Sequence, residues 1–114
     1  MNRPDLDPAE FRQLLGRFTT GVTVITINRP AKRNAFNAPT IEELSDAFET
    51  LSKNPECRLL LIRGAGPVFS AGADLGTFVR LLDADDLDGL RSFARRGQKA
   101  LHALRNARFP VVAA

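Results

Sequence analysis

The stretch Leu59-Leu60-Leu61-Ile62 is a continuous apolar run that lies between Arg58 and Arg63. The pattern predicts a strand buried on both faces, because such a strand needs apolar side chains on both sides, as parallel strands do. Upstream, the β-branched stretch Val22–Ile27 predicts a second strand. We expect the two strands to be parallel neighbours joined by a right-handed crossover, which is the arrangement of an α/β fold.

The segment between the two strands predicts the crossover helix. Its apolar residues recur at helical spacing and share one face: Ile41, Leu44, Phe48 and Leu51. Thr40 and Glu43 have the spacing of a capping box, and Asn54-Pro55 ends the pattern. The helix is therefore predicted over residues 40–53.

The first residues of the chain predict an extra N-terminal helix. Asp7 can cap it, and Pro8 suits the first helical position. Four apolar residues then fall at i, i+3, i+4 and i+7: Phe11, Leu14, Leu15 and Phe18. We therefore expect two parts, an N-terminal helical segment over residues 1–21 and an α/β domain over residues 22–114.

Downstream of the apolar run, Gly64-Ala65-Gly66-Pro67 turns the chain, and a long helical segment follows. Its apolar residues alternate at spacings of three and four: Leu87, Leu90, Ala94, Gly97, Leu101 and Leu104. Residues 109–113 predict a further strand. The order helix, strand, helix, strand, helix, strand indicates parallel strands with crossover helices.

Composition limits the class of protein. An apolar fraction of 44% and a charged fraction of 25% are typical of a globular domain and argue against disorder. No apolar run approaches the roughly 20 residues of a membrane span, and the polar N-terminus lacks the apolar core of a signal peptide. Cys57 is the single cysteine, which excludes a disulfide framework and a cysteine-built metal site. We expect a cytoplasmic protein with no metal.

Charge is unevenly distributed along the chain, whose formal net charge is +3. Four acidic residues between positions 83 and 88 precede a run of basic residues: Arg91, Arg95, Arg96, Lys99, Arg105 and Arg108. Acids at the start of a helix and bases towards its end stabilise any exposed helix, and this is the favoured interpretation. An anionic ligand such as the phosphates of coenzyme A is the alternative, and nucleic acid is not expected.

Small residues dominate the stretch Phe69-Ser70-Ala71-Gly72-Ala73-Asp74-Leu75, which follows the glycine turn. Small side chains leave backbone N–H groups open to a ligand, and such groups can stabilise the negative oxygen of an enolate. A tight connection with Asp74 as the N-cap of a helix would have the same composition. The stretch alone leaves both interpretations open.

Two further stretches accompany this motif. Asn28-Arg29-Pro30-Ala31-Lys32-Arg33-Asn34-Ala35-Phe36-Asn37 closes the first strand, and Phe109-Pro110-Val111-Val112-Ala113-Ala114 follows the long helix. In this order the three stretches resemble the enoyl-CoA hydratase/isomerase (crotonase) family over residues 22–114. The resemblance implies a partial crotonase-like fold and a truncated crotonase-like domain.

The resemblance implies an acyl-CoA-binding protein whose parent reaction, a lyase reaction of fatty acid metabolism, is the hydration or isomerisation of an enoyl-CoA. The backbone N–H of Ala73 would be one of two donors to the thioester carbonyl oxygen. The implied substrate-binding residues are Lys32, Arg33, Ala35, Ala71, Gly72, Ala73, Asp74 and Leu75. Coenzyme A would enter only as part of the substrate, with no other cofactor.

The family's second oxyanion donor would lie just past Ala114, and its catalytic carboxylates later still. Many family members have a lysine where this chain has Gly76. We therefore expect the 114-residue chain by itself to be incomplete for catalysis. The expected partner is an acyl-CoA thioester, without nucleic acid or membrane, and association into a homo-oligomer is left open.

Residues 1–26 are instead similar to the start of the flavin reductase family, where a helix ending in Thr-Gly precedes a β-branched strand. The chain would then be composite, whether a natural fusion, an engineered chimera or a truncated gene model. Two alternatives to acyl-CoA binding therefore stay open at this point. One is a flavin reductase-like, FMN-associated protein, and the other is a folded chimera without a ligand.

Overall fold

The computed structural model describes residues 14–19 and 21–114, with side chains described from Gly21 onward. Four strands lie in this part of the chain: β1 (Leu14–Thr19), β2 (Val22–Ile27), β3 (Leu59–Gly64) and β4 (Val111–Ala113). Three α-helices accompany them: α1 (Ala38–Ser52), α2 (Leu75–Asp83) and α3 (Leu87–Arg105). A single 3-10 turn, Pro30–Lys32, follows β2 in the same described region.

The strands form one sheet in the order β1-β2-β3-β4. β2 and β3 are parallel along their length, from the pair Val22 and Leu59 to the pair Ile27 and Gly64. β3 is also parallel to β4. The predicted α/β fold, with parallel strands joined by helices, is therefore confirmed.

The prediction of a helix is wrong for Leu14–Thr19, which forms β1 and pairs antiparallel with β2. Gly21 has φ 85, a conformation that glycine adopts without steric cost, and it reverses the chain between the two strands. The backbone ladder with β2 satisfies the N–H and C=O groups that a helix would have paired internally, so tertiary pairing overrides the helical spacing. The remaining residues of the predicted helix, 7–13, lie outside the described part of the chain.

Helix α1 begins two residues earlier than predicted, and its N-cap is Asn37 rather than Thr40. The Asn37 Oδ1 accepts hydrogen bonds from the Thr40 backbone N–H at 3.0 Å and from the Thr40 Oγ1 at 2.5 Å. Proline suits the first turn of a helix because its missing N–H is not needed there, and Pro39 occupies that turn.

The main core lies between α1 and one face of the sheet. Leu44 and Leu51 of α1 pack against Ile27 of β2 and Leu60 of β3, and the cluster extends to Phe109. The predicted apolar face of α1 is therefore confirmed. β3 is less completely buried than expected, because Leu60 and Ile62 are buried whereas the alternate residues 59 and 61 are half-buried.

Helix α3 packs through a face that shares only part of the predicted stripe, since Leu104 packs against the main core as expected. Phe93 and Ala100 are buried against Ile41 of α1, whereas Leu87 and Leu101 are 54% and 61% exposed. Asp86 caps the helix through a 2.8 Å hydrogen bond from the backbone N–H of residue 89, and basic residues occupy its last turn. The charge pattern thus follows the predicted complement to the helix dipole.

Candidate functional site

The side chain of Asn34 joins the segment after β2 to the segment after β3. It is fully buried, and its backbone is left-handed at φ 56, which asparagine tolerates better than most residues. Its Oδ1 accepts a hydrogen bond from the Arg29 backbone N–H at 2.8 Å, and its Nδ2 donates to the Ala65 and Val68 carbonyl oxygens at 2.9 and 2.7 Å. Both ends of the Asn34 amide are therefore engaged by backbone groups of the protein.

Gly64 and Ser70 hold the small-residue loop against this asparagine. A Cβ at Gly64 would collide with the carbonyl oxygens of Val68 and Phe69, so glycine is required for the chain to fold back there. The Ser70 Oγ donates to the Asn34 carbonyl oxygen at 2.8 Å and accepts from the Gly72 backbone N–H at 3.0 Å. The Ser70 hydroxyl thus connects the small-residue loop to the Asn34 backbone and to its own residue Gly72.

Phe36 and Ala73 form an isolated parallel bridge between the two segments. The Phe36 N–H donates to the Gly72 carbonyl oxygen at 2.7 Å, and the Asp74 N–H donates to the Phe36 carbonyl oxygen at 2.9 Å. Successive backbone groups of an extended segment point to opposite sides, so the N–H of Ala73 points away from Phe36. Within the described residues this N–H has no acceptor.

A cavity of about 340 Å³ has both Gly72 and Ala73 among its lining residues. Aromatic rings and α3 residues form most of the remaining lining: Phe36, Phe78, Phe93, Ala94, Gly97 and Leu101. Gln98 is the one side chain with hydrogen-bonding groups among the lining residues. Largely apolar walls with a few placed polar groups are typical of small-molecule sites, and this volume lies within their usual range.

An ion pair between Arg29 and Asp74 links the segment after β2 to the segment after β3, next to the Phe36–Ala73 bridge. The Arg29 Nη1 donates to the Ala35 carbonyl oxygen at 2.6 Å and lies 3.3 Å from the Asp74 Oδ2. The other carboxylate oxygen, Asp74 Oδ1, accepts from the Gly76 backbone N–H at 2.9 Å and caps α2. The predicted capping by Asp74 is confirmed, and both charged side chains are mostly buried, with 14% and 18% exposure.

The structure brings together some of the residues predicted for the site and separates others. The loop 71–74 lies against the segment that contains Ala35, since the Ala71 N–H donates to the Arg33 carbonyl oxygen at 2.9 Å. Lys32 and Arg33 are exposed on the neighbouring turn. Leu75 is 75% exposed and does not line the cavity. Whether these residues contact a ligand stays a prediction.

Sequence reasoning missed Arg29 and Asn34 as organisers of the site, although both lie inside the motif that it singled out. An asparagine between a strand and a helix could have suggested a left-handed position. The cavity rings Phe78 and Phe93 gave no such signal, because they meet edge to face at 5.4 Å only after α2 and α3 pack.

Among the described residues, neither a metal-binding cluster nor a membrane-spanning helix is found. No group of three histidine, cysteine, aspartate or glutamate side chains is placed there to bind a metal ion. Nor does that part of the chain contain a helix with the length and apolar character needed to cross a membrane. The expectations of no metal and of a cytoplasmic location remain predictions.

The fold and site together define an α/β protein in which Ala73, whose backbone N–H has no acceptor among the described residues, lines an apolar cavity. The model of the enoyl-CoA hydratase/isomerase family matches residues 17–114. The chain belongs to this family, and the resemblance based on its motifs is confirmed. The match begins within β1, upstream of the predicted start at residue 22, and the flavin reductase resemblance receives no support.

Relatives and solved structures agree with this assignment. A trans-2-decenoyl-[acyl-carrier-protein] isomerase of Streptococcus mutans is 38% identical over 90% of this chain and 39% of its own length. A crotonyl-CoA hydratase of Syntrophomonas wolfei is 37% identical over 82% of this chain and 35% of its own. The structure of Pseudomonas aeruginosa AtuE has a TM-score of 0.84 at 30% identity and covers 89% of this chain and 39% of its own.

The chain therefore spans less than two fifths of the length of these relatives. The division of the chain at residues 21 and 22 is tested by none of these matches and stays a prediction.

Proposed function

We propose that this chain binds a fatty acyl-CoA thioester and donates the Ala73 backbone N–H to the thioester carbonyl oxygen, as part of an enoyl-CoA hydratase or isomerase site. The observation that carries the proposal is this N–H, which has no acceptor in the described part of the chain and belongs to a residue that lines an apolar cavity. The name of the Syntrophomonas wolfei relative, a crotonyl-CoA hydratase, supports an acyl-CoA substrate, and that of the Streptococcus mutans relative, a trans-2-decenoyl-[acyl-carrier-protein] isomerase, supports an unsaturated acyl substrate.

The proposed chemistry follows from the surroundings of the Ala73 N–H. The hydrocarbon chain enters the cavity that Phe78 of α2 and Phe93 of α3 help to line, where it is removed from water. The thioester oxygen then accepts a hydrogen bond from the Ala73 N–H. It gains negative charge when water adds to the β-carbon with loss of a proton to a base (hydration) or when a base removes a proton from carbon (isomerisation). A fixed donor of this kind typically contributes about 10²–10³ in rate. Lys32 and Arg33, exposed on the adjacent turn, supply positive charge for the coenzyme A phosphates.

Tested by itself, the 114-residue polypeptide is proposed to bind and polarise an enoyl thioester but to turn it over slowly. No carboxylate is among the residues that line the described cavity. The neighbouring Asp74 is engaged by Arg29 and by the Gly76 N–H. Hydration or isomerisation needs a positioned acid or base in addition to carbonyl polarisation.

The test uses cinnamoyl-CoA, whose conjugated thioester absorbs at longer wavelength when its carbonyl oxygen accepts a strong hydrogen bond. Titration with the purified polypeptide should give saturable binding and a red shift of this absorbance. Ala73→Pro removes the N–H and should abolish the shift. Ala73→Ser keeps the N–H and is the matched control, which should retain the shift. Absence of binding, or an undiminished shift in Ala73→Pro, would refute the proposal.

A further inference from the structure

A carboxylate follows the proposed oxyanion donor directly in sequence. Asp74 comes after Ala73, and its backbone N–H takes part in the bridge that turns the Ala73 N–H away from Phe36. The carboxylate is mostly buried, with 18% exposure. Negative charge at this position opposes negative charge on a bound thioester oxygen, because the attraction or repulsion of charges is strong where water is largely excluded.

Arg29 is placed to neutralise that carboxylate. Its Nη1 lies 3.3 Å from the Asp74 Oδ2, and the same nitrogen donates to the Ala35 carbonyl oxygen at 2.6 Å. The guanidinium is thus held by a neutral partner on one segment while it compensates the charge on the other. The Arg29 side chain is only 14% exposed, so bulk solvent screens this pair less than a surface ion pair.

We propose that Arg29 is a positioning residue of the site, which acts as the counter-ion of Asp74 so that the Ala73 N–H meets the thioester oxygen in a neutral rather than a negative environment. The inference rests on the proposed function. It assigns to Arg29 an electrostatic role in carbonyl polarisation in addition to its hydrogen bond to the Ala35 carbonyl oxygen.

A double-substitution cycle separates charge from packing, with the red shift of bound cinnamoyl-CoA as the readout. Arg29→Gln leaves the Asp74 carboxylate uncompensated and should reduce the shift to about half or less of its original size. Asp74→Asn keeps an oxygen for the Gly76 N–H and removes the negative charge, so the shift should be equal or larger. In the combined variant the shift should recover towards that of the unmodified chain. Arg29→Lys keeps the charge and should keep most of the shift.

The Arg96–Glu42 ion pair provides the matched control. It joins α3 to α1 at 2.9 Å, and its side chains are 45% and 62% exposed. Neither residue lines the proposed cavity, so Arg96→Gln should leave the shift unchanged.

The outcomes are distinguishable. If the unmodified chain does not bind cinnamoyl-CoA, the proposed function fails. If binding and shift are normal but the combined variant is no better than Arg29→Gln, Arg29 acts through packing alone and the inference is overturned. Should Arg29→Gln fail to fold, Asp74→Asn decides by itself, because a shift smaller than that of the unmodified chain contradicts a neutralising role for Arg29.

Discussion

Replacement of Asn34 by alanine should destabilise the protein more than any other single loss of a loop side chain described above. The substitution removes three hydrogen bonds, to the Arg29 N–H and to the Ala65 and Val68 carbonyl oxygens. Each such bond contributes about 0.5–1.5 kcal/mol net. Alanine at φ 56 adds about 1 kcal/mol of backbone strain. We therefore expect a loss of about 3–5 kcal/mol in the free energy of unfolding.

Asn34→Asp keeps the size and shape of the side chain but replaces the donating Nδ2 group by an oxygen, so it tests whether that donor is needed. The carboxylate still accepts from the Arg29 N–H, but it faces the Ala65 and Val68 carbonyl oxygens with an oxygen instead of a donor. Protonation restores one donor, so burial beside two carbonyl groups should raise the pKa of the introduced carboxyl above its unfolded value of about 3.9. A raised folded pKa favours the folded state at low pH, and that contribution is lost as pH rises. The variant should therefore be less destabilised near pH 4 than at pH 7, whereas the loss in Asn34→Ala should not depend on pH in this way.

Urea unfolding followed by far-UV circular dichroism is the appropriate assay, since the chain has no tryptophan or tyrosine. Asn54→Ala is the matched control. The Asn54 Oδ1 accepts a single exposed hydrogen bond from the Glu56 N–H at 3.0 Å, so its loss should cost less than about 1 kcal/mol. Equal losses in Asn34→Ala and Asn54→Ala would contradict the role of Asn34 as the side chain that joins the two segments.

Two further predictions concern the helices. The Arg108 guanidinium donates to four carbonyl oxygens at and after the end of α1 and lies 5.0 Å from the centre of the Phe109 ring. Arg108→Ala should lower the free energy of unfolding by about 1–2 kcal/mol because these carbonyl groups and the helix dipole lose their cationic partner, and urea unfolding would show no change if the contacts were incidental. Gly97 lies within α3, and an added Cβ would meet Ile41 at an ordinary 3.6 Å. Gly97→Ala should therefore raise the melting temperature through a gain of about 0.5–1 kcal/mol in helix propensity, and a lower melting temperature would mean that the neighbouring cavity does not tolerate the methyl group.

The elements that sequence predicted correctly are those whose pattern is set by burial within one element. The apolar face of α1 includes Leu44 and Leu51, which lie in the core as expected. The apolar run at 59–62 forms a strand parallel to Val22–Ile27 because β-branched and aliphatic side chains suit a half-buried pleated surface. The loop at 69–75 was likewise identified by its motif, because a run of small residues after a glycine turn is a local feature of the chain.

The sequence by itself therefore determined the α/β class, the parallel pair β2 and β3 and the family, and it offered Asp74 as an N-cap that the structure then showed at α2. Tertiary structure alone decided that Leu14–Thr19 is a strand, because the apolar residues of that segment fit a helix equally well until β2 supplies a hydrogen-bonding partner. It also decided which face of α3 is buried and how Asn34 and Arg29 hold the loop that carries Ala73. These features depend on contacts between residues far apart in the chain. The spacing of apolar residues within one segment does not indicate which distant backbone groups will pair with it.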